Sequence, residues 1–235
     1  RLRSERLRSE RLRSERLRAR VKSYRTFLIA AAVFLLGALL LGSQAKGAGP
    51  LPGDLEFSRF VQSVLPFSGG ISTLWNLLGE VLRYSPYLVF AVTLGLRKWD
   101  WALLVGLASL PVALFGESRL KPLYGRPRPT ADLVMIHQAS KGLSFPSGTA
   151  LNAMATIGVV LYLARLSEKP GSSNWLPRTI ISVSVIYLLL CNLARVHVGA
   201  HWATDIVGGW MFASAWLALL MAVHQWWLHR EPDSH

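Results

Sequence analysis

A histidine and an aspartate stand four residues apart near the C-terminal end of the chain, in the stretch ARVHVGAHWATDIVGG. This step brings His201 and Asp205 onto one face of a helix, where the carboxylate can accept the hydrogen of one ring nitrogen. The second ring nitrogen is then free to act as a nucleophile or a base. Arg195 precedes the histidine by six residues and adds a positive charge. We therefore expect a site at which His201 acts on an anionic group.

A second group of charges lies in the stretch KPLYGRPRP, where Lys121 and Arg128 are seven residues apart. Arginine offers a planar fork to phosphate oxygens, and lysine adds a compact point charge. Pro122, Pro127 and Pro129 disfavour regular helix and predict a rigid loop that holds these cations. Taken alone, the stretch equally fits a positively charged loop that touches lipid headgroups.

A third group lies in the stretch SFPSGTA. Ser147 can cap a helix, Gly148 lets the backbone come close to a ligand, and the free N–H groups of the first turn form an anion site. An ordinary capped membrane helix would look the same. Other ionisable residues near this side of the chain lack such an arrangement, and we expect interfacial contacts for them: His137, Lys141 and His197.

Together the three groups resemble the motifs of the type 2 phosphatidic acid phosphatase superfamily, K-x6-R-P, P-S-G-H and S-R-x5-H-x3-D. That superfamily includes lipid phosphate phosphatases and bacterial undecaprenyl pyrophosphate phosphatases. The matching residues keep the spacing of the family: Lys121, Arg128, Pro129, Pro146, Ser147, Gly148, Arg195, His201 and Asp205. The resemblance covers residues 26–230 and implies a six-span helical membrane fold that needs no metal or other cofactor.

The resemblance also implies a role for each residue. His201 would attack phosphorus and form a phosphohistidine, and Asp205 would orient and activate it. The substrate would be a lipid phosphate or pyrophosphate. Its phosphate would be held by the following residues: Lys121, Arg128, Ser147, Gly148 and Arg195.

Two positions depart from the family pattern. Ala194 replaces a serine, with the loss of one possible hydrogen bond, and Thr149 stands where the family has the histidine that acts as general acid. A threonine hydroxyl does not titrate near neutral pH, and the loss of a general acid typically costs about 10²- to 10⁴-fold in rate. Thr149 therefore predicts weakened catalysis at the position of the family's general acid.

Several explanations of Thr149 remain open. The leaving group could need little protonation, which favours a polyprenyl pyrophosphate over a phosphatidic acid. The threonine could be a substitution made to stall the enzyme. The protein could also be a catalytically impaired lipid-phosphate binder, or a phosphotransferase that passes the phosphoryl group to another lipid. His197 or His137 could supply the proton instead, although the spacing aligns neither of them.

The elements that must position these residues are apolar segments of membrane-spanning length. Hydrophobic residues make up 51% of the 235 residues, a high share for a water-soluble protein. Six segments are long enough to span or nearly span a bilayer: 26–41, 74–96, 101–120, 150–164, 179–193 and 206–228. We therefore predict an all-α, polytopic membrane protein with six transmembrane helices in a bundle, formed by residues 26–230.

Charge outside these segments predicts the orientation. Residues 1–25 contain the repeat RLRSE and carry +8 of the formal net charge of +13. We expect a basic cytoplasmic tail that is attracted to anionic headgroups, and no nucleic-acid partner, because no aromatic residue interrupts the repeat. The first apolar run is expected to be a retained membrane helix rather than a cleaved signal.

By the positive-inside rule both termini, including residues 231–235, lie in the cytoplasm, and the protein belongs in the plasma (inner) membrane. Segments 43–73, 121–149 and 194–205 then lie outside and form an extracytoplasmic active site. Within them, residues 54–65 are expected to lie flat on the outer membrane surface.

Overall fold

A computed structural model describes residues 2–65, 87–111, 119–166 and 175–228, and this part of the chain is helical, with no strand. In chain order its helices are α1 (Leu2–Ala45), α2 (Asp54–Val64), α3 (Trp99–Pro111), α4 (Lys121–Tyr124), α5 (Gly148–Leu166), α6 (Trp175–His197) and α7 (Ala203–Leu228). Residues 87–95 are also helical. The predicted all-α fold is confirmed for these residues.

Four helices of the described part are long and apolar enough to cross a membrane: Tyr24–Ala45, Gly148–Leu166, Arg178–His197 and Ala203–Trp227. The shorter apolar helix Trp99–Leu110 is a fifth apolar element. Of the predicted spans, 74–96 begins outside the described residues, and residues 112–118 of the span 101–120 also lie outside them. Four predicted spans are therefore found, and the number six remains a prediction.

The N-terminal repeat and the first span form one continuous helix, α1. Arginine, leucine and glutamate favour helix, and no proline interrupts the chain before residue 45. The predicted boundary between tail and membrane domain at residue 25 therefore falls inside a helix.

Helix α7 is central to the packing of the membrane helices. It contacts α1 most extensively and packs against α5, which in turn contacts α6. Small residues permit this close approach. A Cβ atom at Gly209 would come within 2.8 Å of the Ser147 carbonyl oxygen and 3.0 Å of the Ala150 Cβ. Gly209 thus lets α7 contact the N-terminal end of α5, where the SFPSGTA stretch lies.

Helix α2 is amphipathic with its polar face inward. Asp54, Ser58 and Gln62 are buried together with Val61, whereas its exposed apolar residues are Phe57, Phe60 and Val64. The polar face packs toward the ends of α6 and α7. The segment expected to lie flat on the surface is therefore a helix that also contributes buried polar groups to the interior.

The prolines of the stretch KPLYGRPRP predicted a loop throughout, but its first half is helical. Lys121–Tyr124 form one helical turn, with Pro122 in the first turn and Gly125 ending it at a φ of 60°. Proline is tolerated in a first turn because the N–H that it lacks has no intrahelical acceptor there. Residues 125–130 are irregular, so only the second half of the stretch is a loop.

Candidate active site

The imidazole of His201 lies between a carboxylate and a guanidinium. Its Nδ1 is 3.4 Å from Asp205 Oδ2, close enough for electrostatic attraction but without the alignment of a good hydrogen bond. Its Nε2 is 3.3 Å from Arg128 Nη1. Because an arginine can only donate, this arrangement favours the tautomer with the proton on Nδ1 and a lone pair on Nε2.

His201 and Asp205 meet in a way that differs from the predicted helix face. Helix α7 begins at Ala203, so His201 precedes it and Asp205 lies in its first turn. The Asp205 carboxylate accepts a hydrogen bond from the Trp202 backbone N–H through Oδ2 at 2.8 Å. This is the capping contact of an acidic residue in a first helical turn, and it turns the carboxylate back toward His201.

Burial decides the charge of the histidine. His201 is almost fully buried, and this desolvation lowers its pKa to about 4. The Asp205 carboxylate opposes the shift, and the guanidinium groups of Arg128 and Arg195 reinforce it. The ring is consequently neutral near pH 7, which is the state with a nucleophilic lone pair.

A tight turn after α6 sets the position of His201 relative to Arg195. The backbone N–H groups of Ala200 and His201 donate to the Arg195 carbonyl oxygen at 3.1 and 3.3 Å. Gly199 has a φ of 71°, and a Cβ atom there would come within 2.5 Å of the Met135 carbonyl oxygen. The turn therefore needs glycine both for its backbone conformation and for space.

The loop before α5 supports both arginines of the site. Arg128 Nη1 donates to the Ala200 carbonyl oxygen at 2.6 Å, and its Nε donates to the carbonyl oxygens of Lys141 and Gly142. Arg195 Nη1 donates to Gln138 Oε1 at 3.1 Å. The two guanidinium groups are thus held against the turn that carries His201.

The start of α5 is connected to α7 through the backbone. Ser147 N–H donates to the Asp205 carbonyl oxygen at 3.0 Å, which joins the SFPSGTA stretch directly to the stretch that contains His201 and Asp205. Ser147 Oγ accepts from Ala150 N–H at 3.4 Å, a long version of the predicted cap. Gly148 and Thr149 are the first two residues of the helix, and both are half-buried.

Lys121 lies on a separate short helix that precedes the arginines of the loop. It opens α4, and its side chain is buried. The same turn ends in Tyr124, whose ring meets that of Phe145 edge to face, with centroids 5.0 Å apart. Lys121 is thus attached to the loop that leads into Ser147.

The main residues that sequence reasoning missed are Arg126 and Asp54. Arg126 lies two positions before Arg128 and is completely buried, with Nη1 donating to Asp205 Oδ1 and Nη2 donating to Asp54 Oδ2, both at 2.7 Å. Asp54 comes from α2 and also accepts from the Thr204 backbone N–H and hydroxyl. Asp54 is 72 residues from Arg126, so no local spacing could have shown this network.

The expectation of interfacial contacts for His197 is wrong. Its side chain is fully buried, and Nε2 lies 2.7 Å from the Leu65 carbonyl oxygen, to which it donates. The ring stacks on that of His137 at a centroid distance of 5.5 Å. Burial and the neighbouring His197 lower the pKa of His137. Lys141 is exposed, and its expected interfacial contacts remain a prediction.

The donor set suits an anion. Cationic side chains converge near His201, and no group of three histidine, cysteine, aspartate or glutamate side chains occurs in the described ranges that could hold a metal ion. A separate groove of about 300 Å³ runs between α2 and residues 131–135, and none of the predicted site residues lines it.

Known proteins share parts of this sequence and this fold. Phosphatidylglycerophosphatase B of Bacillus subtilis (strain 168) is 30% identical over 118 residues, which cover 48% of the chain and 52% of that protein. An undecaprenyl-diphosphatase of Sulfolobus acidocaldarius is 32% identical over 77 residues, 33% of the chain and 31% of the relative. The matched region thus spans about half of the first relative's length and a third of the second's.

A solved structure shares the arrangement of helices. It is the crystal structure of a transmembrane PAP2 type phosphatidylglycerolphosphate phosphatase from Bacillus subtilis, with a TM-score of 0.63 at 18% identity. The superposition covers 87% of the chain and 98% of the solved one. At this identity the likeness concerns the fold, and with the apolar helices it indicates a multi-pass membrane protein.

The motif residues that meet around His201 lie within one family match. The model of the PAP2 superfamily covers residues 99–229, which is more than half of the chain and includes every predicted site residue. This chain therefore belongs to the PAP2 superfamily, as its three motifs had indicated.

Proposed function

We propose that this protein is an integral membrane lipid phosphatase that hydrolyses a lipid phosphate or polyprenyl pyrophosphate through a phosphohistidine at His201. The observation that carries the proposal is the neutral His201 ring, with Nδ1 toward Asp205 and Nε2 toward Arg128. The names of the two relatives, a phosphatidylglycerophosphatase and an undecaprenyl-diphosphatase, support a phosphorylated lipid as the substrate class.

The chemistry would proceed in two displacements. The Nε2 lone pair attacks phosphorus, the bond from phosphorus to the leaving oxygen breaks, and its electron pair leaves with that oxygen. Asp205 stabilises the ring, which has become positively charged, while the proton stays on Nδ1. Water then attacks phosphorus as one of its protons passes to the solvent, the N–P bond breaks, and the electron pair returns to Nε2 with release of phosphate.

The cations would offset the charge on the equatorial phosphate oxygens. Arg128 would turn from Nε2 to the arriving phosphate, which frees the lone pair for attack. Arg195 and Lys121 would add positive charge, and Ser147 with the Gly148 N–H would complete the phosphate site at the start of α5.

Thr149 supports a pyrophosphate as the preferred substrate. A pyrophosphate expels a phosphate, which needs little protonation, whereas a monoester expels an alkoxide that needs a general acid. The same residue favours a second candidate function, a catalytically weak protein that binds a lipid phosphate in the site without turning it over.

Phosphate release in detergent distinguishes these functions. The substrates are undecaprenyl pyrophosphate, phosphatidylglycerol phosphate and phosphatidic acid, and the variants are Thr149→His and His201→Ala. We expect the unchanged chain to hydrolyse the pyrophosphate and His201→Ala to abolish this activity. Thr149→His should raise the rate on the monoesters by about 10²- to 10⁴-fold and on the pyrophosphate by much less.

Other results would point elsewhere. Activity in Thr149→His alone, with lipid binding by the unchanged chain, would support the binder. Transfer of phosphate to a second lipid without release would support a phosphotransferase. Activity that survives His201→Ala would contradict the proposed mechanism.

A further inference from the structure

The guanidinium of Arg126 uses all of its N–H groups within the protein. Nε and Nη2 donate to the Gly49 carbonyl oxygen at 3.3 and 2.9 Å, and Nη2 also donates to Asp54. Nη1 donates to Thr204 Oγ1 and to Asp205 Oδ1, both at 2.7 Å. A guanidinium has five N–H groups, so none is left for a ligand.

Arg126 differs from Arg128 in the burial of its side chain. The side chains of Arg126, Asp54 and Asp205 are 0% exposed, whereas Arg128 is partly exposed and reaches His201 Nε2. A buried charge is tolerated only when it is paired and hydrogen-bonded. The two arginines of GRPRP therefore have different tasks, and of the two only Arg128 reaches His201.

Asp54 fixes the other side of the network. Its Oδ1 accepts from Thr204 N–H at 2.9 Å, and its Oδ2 accepts from the Thr204 hydroxyl at 2.7 Å and from Leu51 N–H at 2.9 Å. Thr204 is in the first turn of α7, next to Asp205. An acidic residue of α2 thus satisfies the N-terminal end of the helix that carries Asp205.

We propose that Arg126 and Asp54 are positioning residues of the PAP2 site: Arg126 holds the Asp205 carboxylate toward His201, and Asp54 balances the charge of Arg126. The expected effect on kcat rests on the proposed function, whereas the expected effect on the pKa of His201 does not. Through Asp205, the pair sets both the orientation of the His201 ring and the charge that the ring experiences.

The charges that face His201 are Asp205 at the start of α7, Arg128 in the loop before α5 and Arg195 at the end of α6. Arg126 and Asp54 lie behind Asp205. Removing the positive charge of Arg126 leaves the negative charge of Asp205 less opposed, which favours imidazolium and raises the pKa of His201. Removing the negative charge of Asp54 acts in the opposite direction.

The test measures the pKa of His201 by NMR in protein labelled with ¹⁵N-histidine, with the resonance assigned by its loss in His201→Gln. Arg126→Gln should raise this pKa by about one unit. Asp54→Asn should not raise it, and the double variant should return it toward the value of the unchanged protein. Exposed residues provide matched charge controls, Arg59→Gln and Asp132→Asn, which should leave it unchanged.

Kinetics provide the second readout. Arg126→Lys retains the charge but not the fork, so we expect a kcat at least tenfold lower with a KM changed less than threefold. An unshifted His201 pKa in Arg126→Gln, or a fall in folded protein with unchanged kcat per folded molecule, would show a merely structural role and overturn the proposal.

If a single variant fails to accumulate in the membrane, the double variant Asp54→Asn with Arg126→Gln takes its place, because it leaves no buried charge of the pair unpaired. Its kcat should be lowered at an unchanged KM, and a kcat equal to that of the unchanged protein would overturn the proposal. The NMR titration does not require turnover. A protein without phosphatase activity but with the predicted pKa shift would contradict the proposed function and leave the positioning network intact.

Discussion

At the scale of single residues, the site combines an uncharged histidine with charged surroundings. His201 is desolvated, and the arginines beside it disfavour a second positive charge, so the ring keeps its lone pair well below neutral pH. Asp205 is held by donors on both oxygens, Arg126 on Oδ1 and Trp202 on Oδ2. Both carboxylate oxygens of Asp205 are thus fixed, with Oδ2 3.4 Å from His201 Nδ1.

The pH dependence of hydrolysis should follow from this charge state. The pKa of His201 is lowered to about 4, below its ordinary value, so the ring stays neutral as pH falls from 6.5 and becomes protonated only near pH 4. We expect kcat/KM for the pyrophosphate to lack an acidic limb between pH 5 and 7 and to decline toward pH 4. An acidic limb with a midpoint between pH 6 and 7 would contradict this expectation.

At the scale of elements, one turn and one helix hold the site together. The turn after α6 brings the N–H groups of Ala200 and His201 to the Arg195 carbonyl oxygen. Helix α2 packs its buried polar face against the end of α6 and the start of α7. Gln62 Nε2 donates to the carbonyl oxygens of Met135 and His197, and Gln62 Oε1 accepts from Met135 N–H. Through Gln62, the loop before α5 is therefore attached to α2 and to the end of α6.

Replacing Gly199 should destabilise the protein by more than the cost of a left-handed backbone alone. Gly199→Ala combines a left-handed backbone with a Cβ atom 2.5 Å from a carbonyl oxygen. Gly47→Ala has a similar φ of 64° but no atom within 4 Å, so it is a matched control for the conformational cost, about 1 kcal/mol. In detergent, Gly199→Ala should melt at a lower temperature than Gly47→Ala and lose activity, and equal melting temperatures would contradict this expectation.

The contacts of Gln62 should contribute measurably to stability. Gln62→Leu has a similar volume but loses three hydrogen bonds to backbone groups, each of which contributes about 0.5 to 1.5 kcal/mol. We expect a lower melting temperature and a lower kcat, because the loop that carries Gln138 and Arg128 loosens. Ser63→Ala on the exposed side of α2 is the control, and a Gln62→Leu protein as stable as this control would show that the contacts are not needed.

At the scale of the whole molecule, the elements form a multi-pass helical protein whose site residues gather at one end of the spans. The ends of α6, the start of α5 and the start of α7 meet there through Ser147, Asp205 and Arg195. The basic residues 1–25 precede the first span. Under the proposed orientation these two regions face opposite sides of the membrane.

Cysteine labelling in intact cells tests this orientation. The only cysteine of the sequence, Cys191, is fully buried, so we expect little background labelling from it. A membrane-impermeant maleimide should label Asp132→Cys in intact cells, because this residue is exposed in the loop before α5. Lys98→Cys, exposed before α3, should be labelled only after permeabilisation, and the reverse pattern would sink the predicted topology.

Much of this site could be predicted because its chemistry is arranged locally along the chain. Lys121 with Arg128 and His201 with Asp205 each lie within one short stretch, and family membership followed from them. The Asp54 network could not be predicted, because Asp54 and Thr204 are 150 residues apart and meet only when α2 packs on α7. The burial of His197 could not be predicted for the same reason, since Leu65, its acceptor, directly follows α2 and is 132 residues away along the chain.

The reversed amphipathicity of α2 predicts that the bilayer supports the site. Its outward side chains Phe57, Phe60 and Val64 would be stabilised by acyl chains, and this attraction would hold Asp54 and Gln62 against the ends of α6 and α7. Stripping annular lipid would relax that attraction. Turnover of even a water-soluble phosphate ester should then fall with progressive delipidation and recover when the protein is returned to bilayers.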